Sequence, residues 1–540
     1  MATEGGCRLP SGEHDFAGRV TELLDSRRYE EAISLIHERL AQGMDTATVD
    51  GVLLKSWIAG TLIDIGSEGN IGHAVKEGMD IFVNERERLN AVIDEHEIEY
   101  CLGNARSALF ALQASEPGFR MRPGTIDVLT KAKNHFWRAY KRMPATSAPP
   151  HLLVNLANAL RSSGRVAEAL QYYDSAILER PDHPEAHANR AEALWHLNRL
   201  SGSLTANMLW QMMKGYDMAT RSTRIPEHFR AQWRAKRDYL RERLVPIGQD
   251  EDRTNRDLAE TQAEANAHSQ YRKFCLTNHL TLSEHSLYCP CIGAQRDDLA
   301  IPKSTAPIGG EFVPRMILLL NRLKSEFALA RLLYYRAVQD PTEEWVTFDE
   351  ELEFAELEEG EAIGVRPEML RTAFRMCFGI LDKIASGVCE LFQLAGAKEP
   401  IYFHSFWREK QKGKDDDERW AKINSLDNLS LLALYSQATD LSQQDGEWRH
   451  FKRWRNALEH GMLVLFKYRE EFTDPMEYGL LDWNRAVVSV PYDDFVQKTL
   501  QMLQLARSAI FNFVFCVRQE GEKEMRSDRP GLPLTIPPKY

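Results

Sequence analysis

The sequence predicts an all-α protein in which an array of helical repeats precedes a C-terminal helical bundle. Apolar residues recur with the 3.6-residue period of a helix along most of the chain, and the alternation typical of strands is rare. A two-helix pattern of small and large residues lies at 151–184, the pattern of its second helix recurs at 132–144, and five longer periodic segments follow residue 310. The length of 540 residues suits roughly three to four domains of ordinary size.

Composition and charge narrow the class of protein. Hydrophobic residues make up 43% and charged residues 27% of the chain, which excludes a disordered or fibrous protein. With 67 basic and 79 acidic residues the net charge is −12, so contact with nucleic acid would need a local basic patch. No apolar run approaches the roughly 18 residues of a membrane span, and residues 1–13 lack the apolar core of a signal peptide. The eight scattered cysteines indicate reduced thiols, so we expect a cytoplasmic protein without membrane contact.

A two-helix pattern runs from His151 to Pro184, with a turn at Ser163-Gly164. Its helices carry regularly spaced apolar, small and aromatic residues and a closing proline: Leu153, Leu156, Ala157, Leu160, Ala169, Tyr173, Ala176 and Pro181. The pattern of the second helix recurs upstream at Ala132, Phe136, Ala139 and Pro144. This spacing resembles the tetratricopeptide repeat (TPR), in which two helices cross at small residues.

Degenerate copies of the repeat are expected at Tyr29–Leu40, Tyr100–Leu112 and Pro184–Asn198. We therefore expect TPR-like repeats over residues 1–245, although generic helical hairpins would give a similar pattern. Such arrays bury a shared core and leave a concave face that usually binds peptide or protein. The expected partner of this region is a protein or peptide ligand.

Residues 246–310 are expected to be a polar linker and connecting segment, because charged residues crowd its first half. The segment also contains residue types that can ligate zinc: Cys275, His279, His285, Cys289 and Cys291. Their order fits no zinc spacing that we can defend, and buried thiols with surface histidines are the favoured interpretation. Zinc binding by Cys275, His279, Cys289 and Cys291 stays open, and no metal or cofactor is assigned.

Five long helices are predicted after residue 310, at Glu311–Ala337, Pro367–Leu394, Ala421–Leu441, Asp445–Lys467 and Tyr492–Arg518. We expect them to form one helical bundle over residues 311–520, followed by a C-terminal tail at 521–540. Residues 341–361 carry ten acidic residues and no basic one, which indicates a solvated insertion. Because the five helices have apolar faces of their own, we expect residues from about 270 onward to fold without the repeats.

The residues most suggestive of chemistry lie in the fourth predicted helix. Arg455, Asn456 and His460 form an Arg-x4-His motif with a polar residue directly after the arginine. Arginine can stabilise a charged phosphorane, and histidine can transfer protons at neutral pH. RNA supplies its own nucleophile, the 2′-hydroxyl, so these groups could cleave RNA without a metal ion. Other Arg-x4–6-His pairs occur along the chain, but none of them has Asn, Asp or His directly after the arginine.

The segments RNALEH, FGILDKIASGVCELF and YRKFCLTNHLTL together resemble a HEPN domain (higher eukaryotes and prokaryotes nucleotide-binding). The resemblance covers roughly residues 270–520 and is greatest to the HEPN proteins that carry TPR-like repeats before a C-terminal HEPN domain. It implies a helical bundle that usually dimerises and is often a metal-independent endoribonuclease of toxin or antiviral systems. Residue by residue, Arg455, Asn456 and His460 match the motif.

Helix geometry adds a constraint on the motif. Arg455 and His460 are five residues apart, which places them about 140° apart around a helix axis. Either the long arginine side chain curls over, or the same motif of a second protomer completes the site. We therefore expect a homodimer that forms through the C-terminal domain.

The local charge changes sign around the motif. Between residues 449 and 469, six Lys or Arg residues stand against one Glu. We expect Arg449, Lys452 and Arg453 to contact the phosphates of RNA. Phe451 and Trp454 could stack on bases, but their spacing favours the core stripe of an amphipathic helix.

The sequence thus predicts a metal-independent endoribonuclease, in a toxin or antiviral-defence role, that is regulated through its repeats. Its expected partners are an RNA substrate, a protein or peptide ligand of the repeats, and a second copy of the chain. The alternative is a non-catalytic dimeric adaptor that binds a protein partner through the repeats.

Overall fold

A computed structural model describes residues 9–10, 12–43, 48–143, 149–244, 251–301, 304–307, 312–339, 362–394, 401–407, 418–442, 446, 448–466, 487–525 and 531–534. Helices dominate these residues, which confirms the predicted fold class. The chain divides into two compact units, one formed by Met1–Ala193 with Met212–Tyr239 and the other by Leu194–Gln211 with Leu240–Tyr540. The predicted acidic insertion at 341–361 lies outside the described residues.

Helical hairpins make up the first part of the chain. Its helices are α1 (His14–Asp25), α2 (Tyr29–Ala41), α3 (Val49–Glu68), α4 (Gly72–Asn84), α5 (Arg86–Asn90), α6 (Glu95–Ala114), α7 (Pro123–Arg142), α8 (Pro150–Ser162), α9 (Val166–Glu179), α10 (Pro184–Ser201), α11 (Ala206–Thr220) and α12 (Glu227–Leu244). The last three pass from one unit to the other.

The predicted repeat at 151–184 forms the hairpin of α8 and α9. Gly164 turns the chain with a φ of 83°, a conformation that glycine adopts without steric cost. In the preceding hairpin, a Cβ added at Gly103 of α6 would lie 2.5 Å from the ring of Phe136 in α7. Phe136 is fully buried, so this small residue lets the two helices approach closely. Phe136, a large position of the predicted repeat, is thus a position at which two helices of the hairpin approach closely.

The second part of the chain is also mainly helical. Its helices are α13 (Glu251–Ala267), α14 (Gln270–Thr277), α15 (Phe312–Gln339), α16 (Val365–Phe392), α17 (Glu418–Ser425), α18 (Leu429–Asp440), α19 (Arg449–His460) and α20 (Tyr492–Met525). Two small sheets accompany them: β1 (Ser304–Pro307) pairs antiparallel with β4 (Gly531–Leu534), and β2 (Met462–Phe466) pairs parallel with β3 (Val487–Pro491).

Two of the five predicted bundle helices were wrong in part. The third is interrupted before Asn428, whose side chain accepts a hydrogen bond from the Leu431 N–H and thereby starts a new helix, α18. The fourth ends at His460, and the apolar run after Gly461 forms strand β2 instead of a further helical turn. In β2, Leu463 and Leu465 are buried while their neighbours are half-buried, which is the period of a strand.

Aromatic packing positions α19 in the second unit. The ring of Phe374 in α16 lies 5.4 Å from Phe451 and 6.0 Å from Trp454, both in α19, and 5.4 Å from Phe495 in α20. These four side chains are buried. The cluster fixes α19 against α16 and α20 and so determines which of its faces reach solvent.

Helix α20 is buried along most of its length. By length and composition, Tyr492–Lys523 is apolar enough to cross a membrane, but 83% of its apolar window is buried within the unit. Its apolar character therefore fits the central helix of a packed bundle.

The segment between α14 and β1 packs against the bundle, in contrast to the linker expected within residues 246–310. The buried guanidinium of Arg507 in α20 donates a hydrogen bond to the Thr281 carbonyl at 2.8 Å. Arg331 of α15 likewise donates to the Leu280 carbonyl at 2.7 Å. Buried arginines from two helices thus satisfy the backbone carbonyls of an irregular segment.

Residues before 245 also belong to this second unit. Arg518 of α20 donates to the Ser201 carbonyl at 2.9 Å, and the Ser203 hydroxyl donates to Glu284 at 2.8 Å. A fragment that begins near residue 270 would lack both hydrogen bonds. The expectation that such a fragment folds without the preceding residues therefore needs correction, because residues 194–211 are part of the same compact unit.

Candidate functional site

Helix α19 presents a buried and a polar side. Phe451, Trp454 and Ala457 point into the core, which confirms that the two aromatic residues are core positions. Arg449, Arg453, Asn456 and His460 are all exposed. At 100° per residue these four positions fall within about 60° around the axis. They form one exposed row along the helix, which we call the polar strip.

The polar strip unites residues that the sequence assigned to two roles. His460, the predicted proton-transfer group, lies at its end, directly before the extended residue Gly461. Arg449 and Arg453, two of the three predicted phosphate contacts, continue the strip along the helix. The third, Lys452, is half-buried beside it.

Arg455 projects from a different side of α19 and is held in a clasp of three side chains. Its guanidinium carbon lies 5.8 Å from the ring centre of Phe378 and 5.7 Å from that of Tyr402. One terminal nitrogen is 3.9 Å from Asp382 Oδ2. The other donates to the Asn456 amide oxygen at 3.4 Å, so the clasp is linked to the polar strip.

Asp382 is the residue of this site that sequence reasoning missed. Its Oδ1 accepts a hydrogen bond from the Phe403 N–H at 2.8 Å, which joins α16 to the segment that carries Tyr402. Burial raises the pKa of the Asp382 carboxyl, against the opposing effects of this N–H and of the Arg455 charge. The signal in the sequence was a single acidic residue between positions 369 and 389 of a helix whose other charged residues in that span are basic.

The arrangement can act on a phosphodiester in two ways. A guanidinium that is fixed by stacking and by a carboxylate can stabilise negative charge on a phosphorane. An exposed imidazole in the same row of the helix as two arginines can transfer a proton to or from a phosphodiester that lies along the strip. Arg455 and His460 face different directions on one helix, as the 140° offset requires.

The four residues considered for zinc do not converge in the described part of the chain. Cys275 is buried beside Arg331 and Tyr271, whereas Cys289 and Cys291 contact each other and His285. Among the described residues, one group of three potential ligands lies within 4.8 Å of one another: Asp94, His96 and Glu97. It lies near the surface of the repeat unit and shares no residue with the polar strip.

Comparisons with known families agree with both parts of this architecture. A family model described as LA2681-like HEPN matches residues 309–520, which include α19 and the clasp. A tetratricopeptide repeat model matches residues 154–207. No curated protein matches the chain. HEPN domains suggest nuclease or other RNA-related roles, and TPRs suggest protein interaction. The chain therefore joins TPR repeats to a C-terminal LA2681-like HEPN domain.

Proposed function

We propose that the protein is a metal-independent endoribonuclease whose active site lies on α19. The observation that carries this proposal is the combination, on one short helix, of a clasped Arg455 with an exposed His460 that shares a helix face with two exposed arginines. In the proposed reaction the 2′-hydroxyl attacks the adjacent phosphorus, and the 5′-oxygen of the next nucleotide leaves. His460 moves the protons, Arg455 stabilises the phosphorane, and Asn456 orients His460 or the phosphate.

Incubation of the full-length protein with mixed RNA in excess EDTA tests the proposal. We expect cleavage by the wild type, none by a folded His460→Ala variant, and no cleavage of single-stranded DNA, which lacks the 2′-hydroxyl. Strict dependence on Mg²⁺, or equal cleavage of DNA, would overturn the mechanism. RNA that stays intact with a protein that dimerises would favour the adaptor alternative.

We further propose that the active form is a homodimer in which the motifs of two protomers face one cleft. The separation of Arg455 and His460 around α19 supports this arrangement, since one helix does not present both groups side by side. When wild type is mixed with an excess of the His460→Ala variant, the total activity should fall below the value expected from the proportion of wild-type protomers. The reason is that most wild-type protomers would then be in heterodimers with an incomplete cleft. Activity that stays proportional to that fraction, in protein shown to exchange subunits, would indicate independent sites.

Asp382 should act as a positioning residue for Arg455. Asp382→Asn removes the charge that faces the guanidinium, and we expect kcat to fall about tenfold, which corresponds to about 1.4 kcal/mol. KM should stay within about twofold, because the polar strip still binds RNA. The matched control is Glu390→Gln on the same helix, whose partner Arg315 is exposed. Equal kcat values for the two variants would remove Asp382 from the mechanism.

The basic residues of the polar strip should contribute affinity. Replacing Arg449 and Arg453 with Glu should weaken binding of a non-cleavable RNA and reduce the slope of log affinity against log salt by about one for each phosphate that is no longer neutralised. Fluorescence anisotropy at several salt concentrations measures both quantities. An unchanged slope would mean that RNA does not lie along this strip.

For the repeats we propose a protein or peptide ligand that regulates the nuclease. Support comes from amide groups on the first helices of two hairpins: Asn155 of α8 donates to the Tyr100 hydroxyl at 3.0 Å and to the Asn104 amide oxygen at 2.9 Å, both in α6. These side chains are half-exposed and can exchange such bonds for those of a peptide main chain. Such a ligand would restrain the ribonuclease, which would otherwise damage the RNA of its own cell. We propose that the protein is a cytoplasmic toxin or antiviral effector.

A further inference from the structure

The sequence Cys289-Pro290-Cys291 lies in the irregular segment that packs on α20, between single 3-10 turns at His285–Leu287 and Ile292–Gln295. The nearby Tyr288 hydroxyl is 3.2 Å from the Thr205 hydroxyl, and His268 Nε2 is 3.1 Å from the Pro290 carbonyl. The two cysteines are therefore set in a fixed part of the second unit, and the proposed nuclease makes no use of them.

Cys291 lies at the centre of a cluster of reactive groups. Its sulfur is 3.5 Å from His285 Nδ1, and the Cys291 N–H donates to the sulfur of Cys289 at 3.4 Å. The two thiols also hydrogen-bond to each other. Cys291 is half-exposed, whereas Cys289 is buried. A partly exposed cysteine thus lies beside a buried one whose sulfur already contacts its backbone.

The surroundings favour a thiolate at Cys291. The Cys289 thiol, the His285 ring and the Ala294 N–H stabilise the anion and lower the pKa of Cys291 to about 4, although burial opposes them. The hydrogen bond with Cys291, together with burial, raises the pKa of Cys289. His285 has its pKa raised by Cys291 first, and also by Asp298 and Glu284. These shifts favour a thiolate at Cys291, a protonated thiol at Cys289 and a proton on the His285 ring.

The other described cysteines differ from Cys291 in every respect that governs reactivity. They are all buried. Burial raises the pKa of Cys275, Cys377, Cys389 and Cys516. A half-exposed thiolate with a second thiol in contact is the arrangement found in redox-sensing sites, where oxidation follows thiolate character and exposure.

We propose that Cys291 is an oxidation site for hydroperoxides and that Cys289 resolves the oxidised form into a Cys289–Cys291 disulfide. The Cys291 thiolate attacks the peroxide; the S–O bond forms, the O–O bond breaks, and the leaving hydroxide takes the proton of His285 to become water. The Cys289 thiol then attacks the sulfenic sulfur; the S–S bond forms, the S–O bond breaks, and the hydroxyl leaves with the thiol proton as a second water. Two thiols are oxidised and one hydroperoxide is reduced.

A disulfide closed across a single residue is easily reduced, so the modification would be reversible by thiols. The disulfide would alter the packing of this segment against residues 203–207, because Asn207 contacts Cys289 and Ser203 contacts Glu284. The inference does not depend on the proposed ribonuclease activity.

Alkylation rates test the thiolate. In full-length protein carrying Cys7→Ser, which removes the cysteine outside the described residues, limiting iodoacetamide at pH 6 should modify Cys291 at least about tenfold faster than any other cysteine. His285→Asn should slow this reaction severalfold, whereas His73→Asn, at an exposed position of α4, should not. Modification of Cys291 at the rate of the buried thiols would overturn the proposal.

One equivalent of hydrogen peroxide, followed by dimedone and peptide mass spectrometry, tests the second step. Wild type should form the Cys289–Cys291 disulfide, reversed by dithiothreitol. Cys289→Ser should instead accumulate a dimedone-trapped sulfenic acid at Cys291, and Cys291→Ser should give neither product. Oxidation of another cysteine first, or absence of both products, would contradict the assignment.

Discussion

His460→Ala and Arg455→Ala should each lower the rate of RNA cleavage at least about a hundredfold. A positioned general acid or base contributes about 10² to 10⁴, and one group that stabilises developing charge contributes about 10² to 10³. The double variant should be little worse than either single variant, because the two groups act on the same transition state.

Single-turnover cleavage of one labelled RNA measures these losses independently of product release. His73→Ala and Arg296→Ala are the matched controls, since both residues are exposed and lie outside the polar strip and the clasp. Both controls should keep activity within about twofold of wild type. If His460→Ala and Arg455→Ala behaved like the controls while remaining folded, α19 would not be the active site.

A second large effect is expected on stability, at Arg331. Its side chain is 2% exposed and makes paired contacts of 2.7 and 3.0 Å with the two oxygens of Asp297, besides its hydrogen bond to the Leu280 carbonyl. Arg331→Met removes this partner and leaves Asp297 paired with Arg272, whose guanidinium is 3.0 Å from Asp297 Oδ2. Breaking a buried ion pair typically costs about 3–5 kcal/mol, and the remaining pair places the cost at the lower end of that range. We expect the free energy of unfolding, measured with urea, to fall by about this amount.

The pH dependence of the free energy of unfolding is a second test of the Arg331–Asp297 pair. Burial alone would raise the pKa of Asp297, but Arg331, the Leu282 N–H and Arg272 outweigh it and lower the pKa to about 2. The stabilisation is therefore complete above the unfolded pKa of about 3.9 and is lost as the pH falls towards 2. Arg331→Met should flatten this acid dependence.

The control for the urea measurement is Arg315→Met, which affects an exposed pair with Glu390 and should cost less than about 1 kcal/mol. An equal loss of unfolding free energy in the two variants would contradict the account.

The repeats could be predicted from the sequence because their determinants are local. Within one hairpin, the spacing of Leu156 and Leu160 defines the first helix, Gly164 marks the turn, and the spacing of Ala169 and Tyr173 defines the second helix. The core position of Trp454 was also predictable, since the apolar period of a short helix shows which side is buried.

The end of α19 and the clasp could not be predicted in the same way. A short apolar run such as residues 462–466 fits a helix or a strand equally well, and its pairing with Val487–Pro491 decides between them. Asp382 and Tyr402 reach Arg455 only after α16 and α19 have packed, so no local pattern indicates the contact. Polar composition likewise suggested a linker where buried arginines hold an ordered segment.

End-group analysis of the cleaved RNA tests the central claim most directly. Wild-type protein in EDTA should produce fragments with 2′,3′-cyclic phosphate and 5′-hydroxyl ends, and an RNA whose cleaved position carries a 2′-O-methyl group should stay intact there. Fragments with 5′-phosphate ends, or continued cleavage at the methylated position, would show that water and not the 2′-hydroxyl is the nucleophile, and would contradict the mechanism assigned to Arg455 and His460.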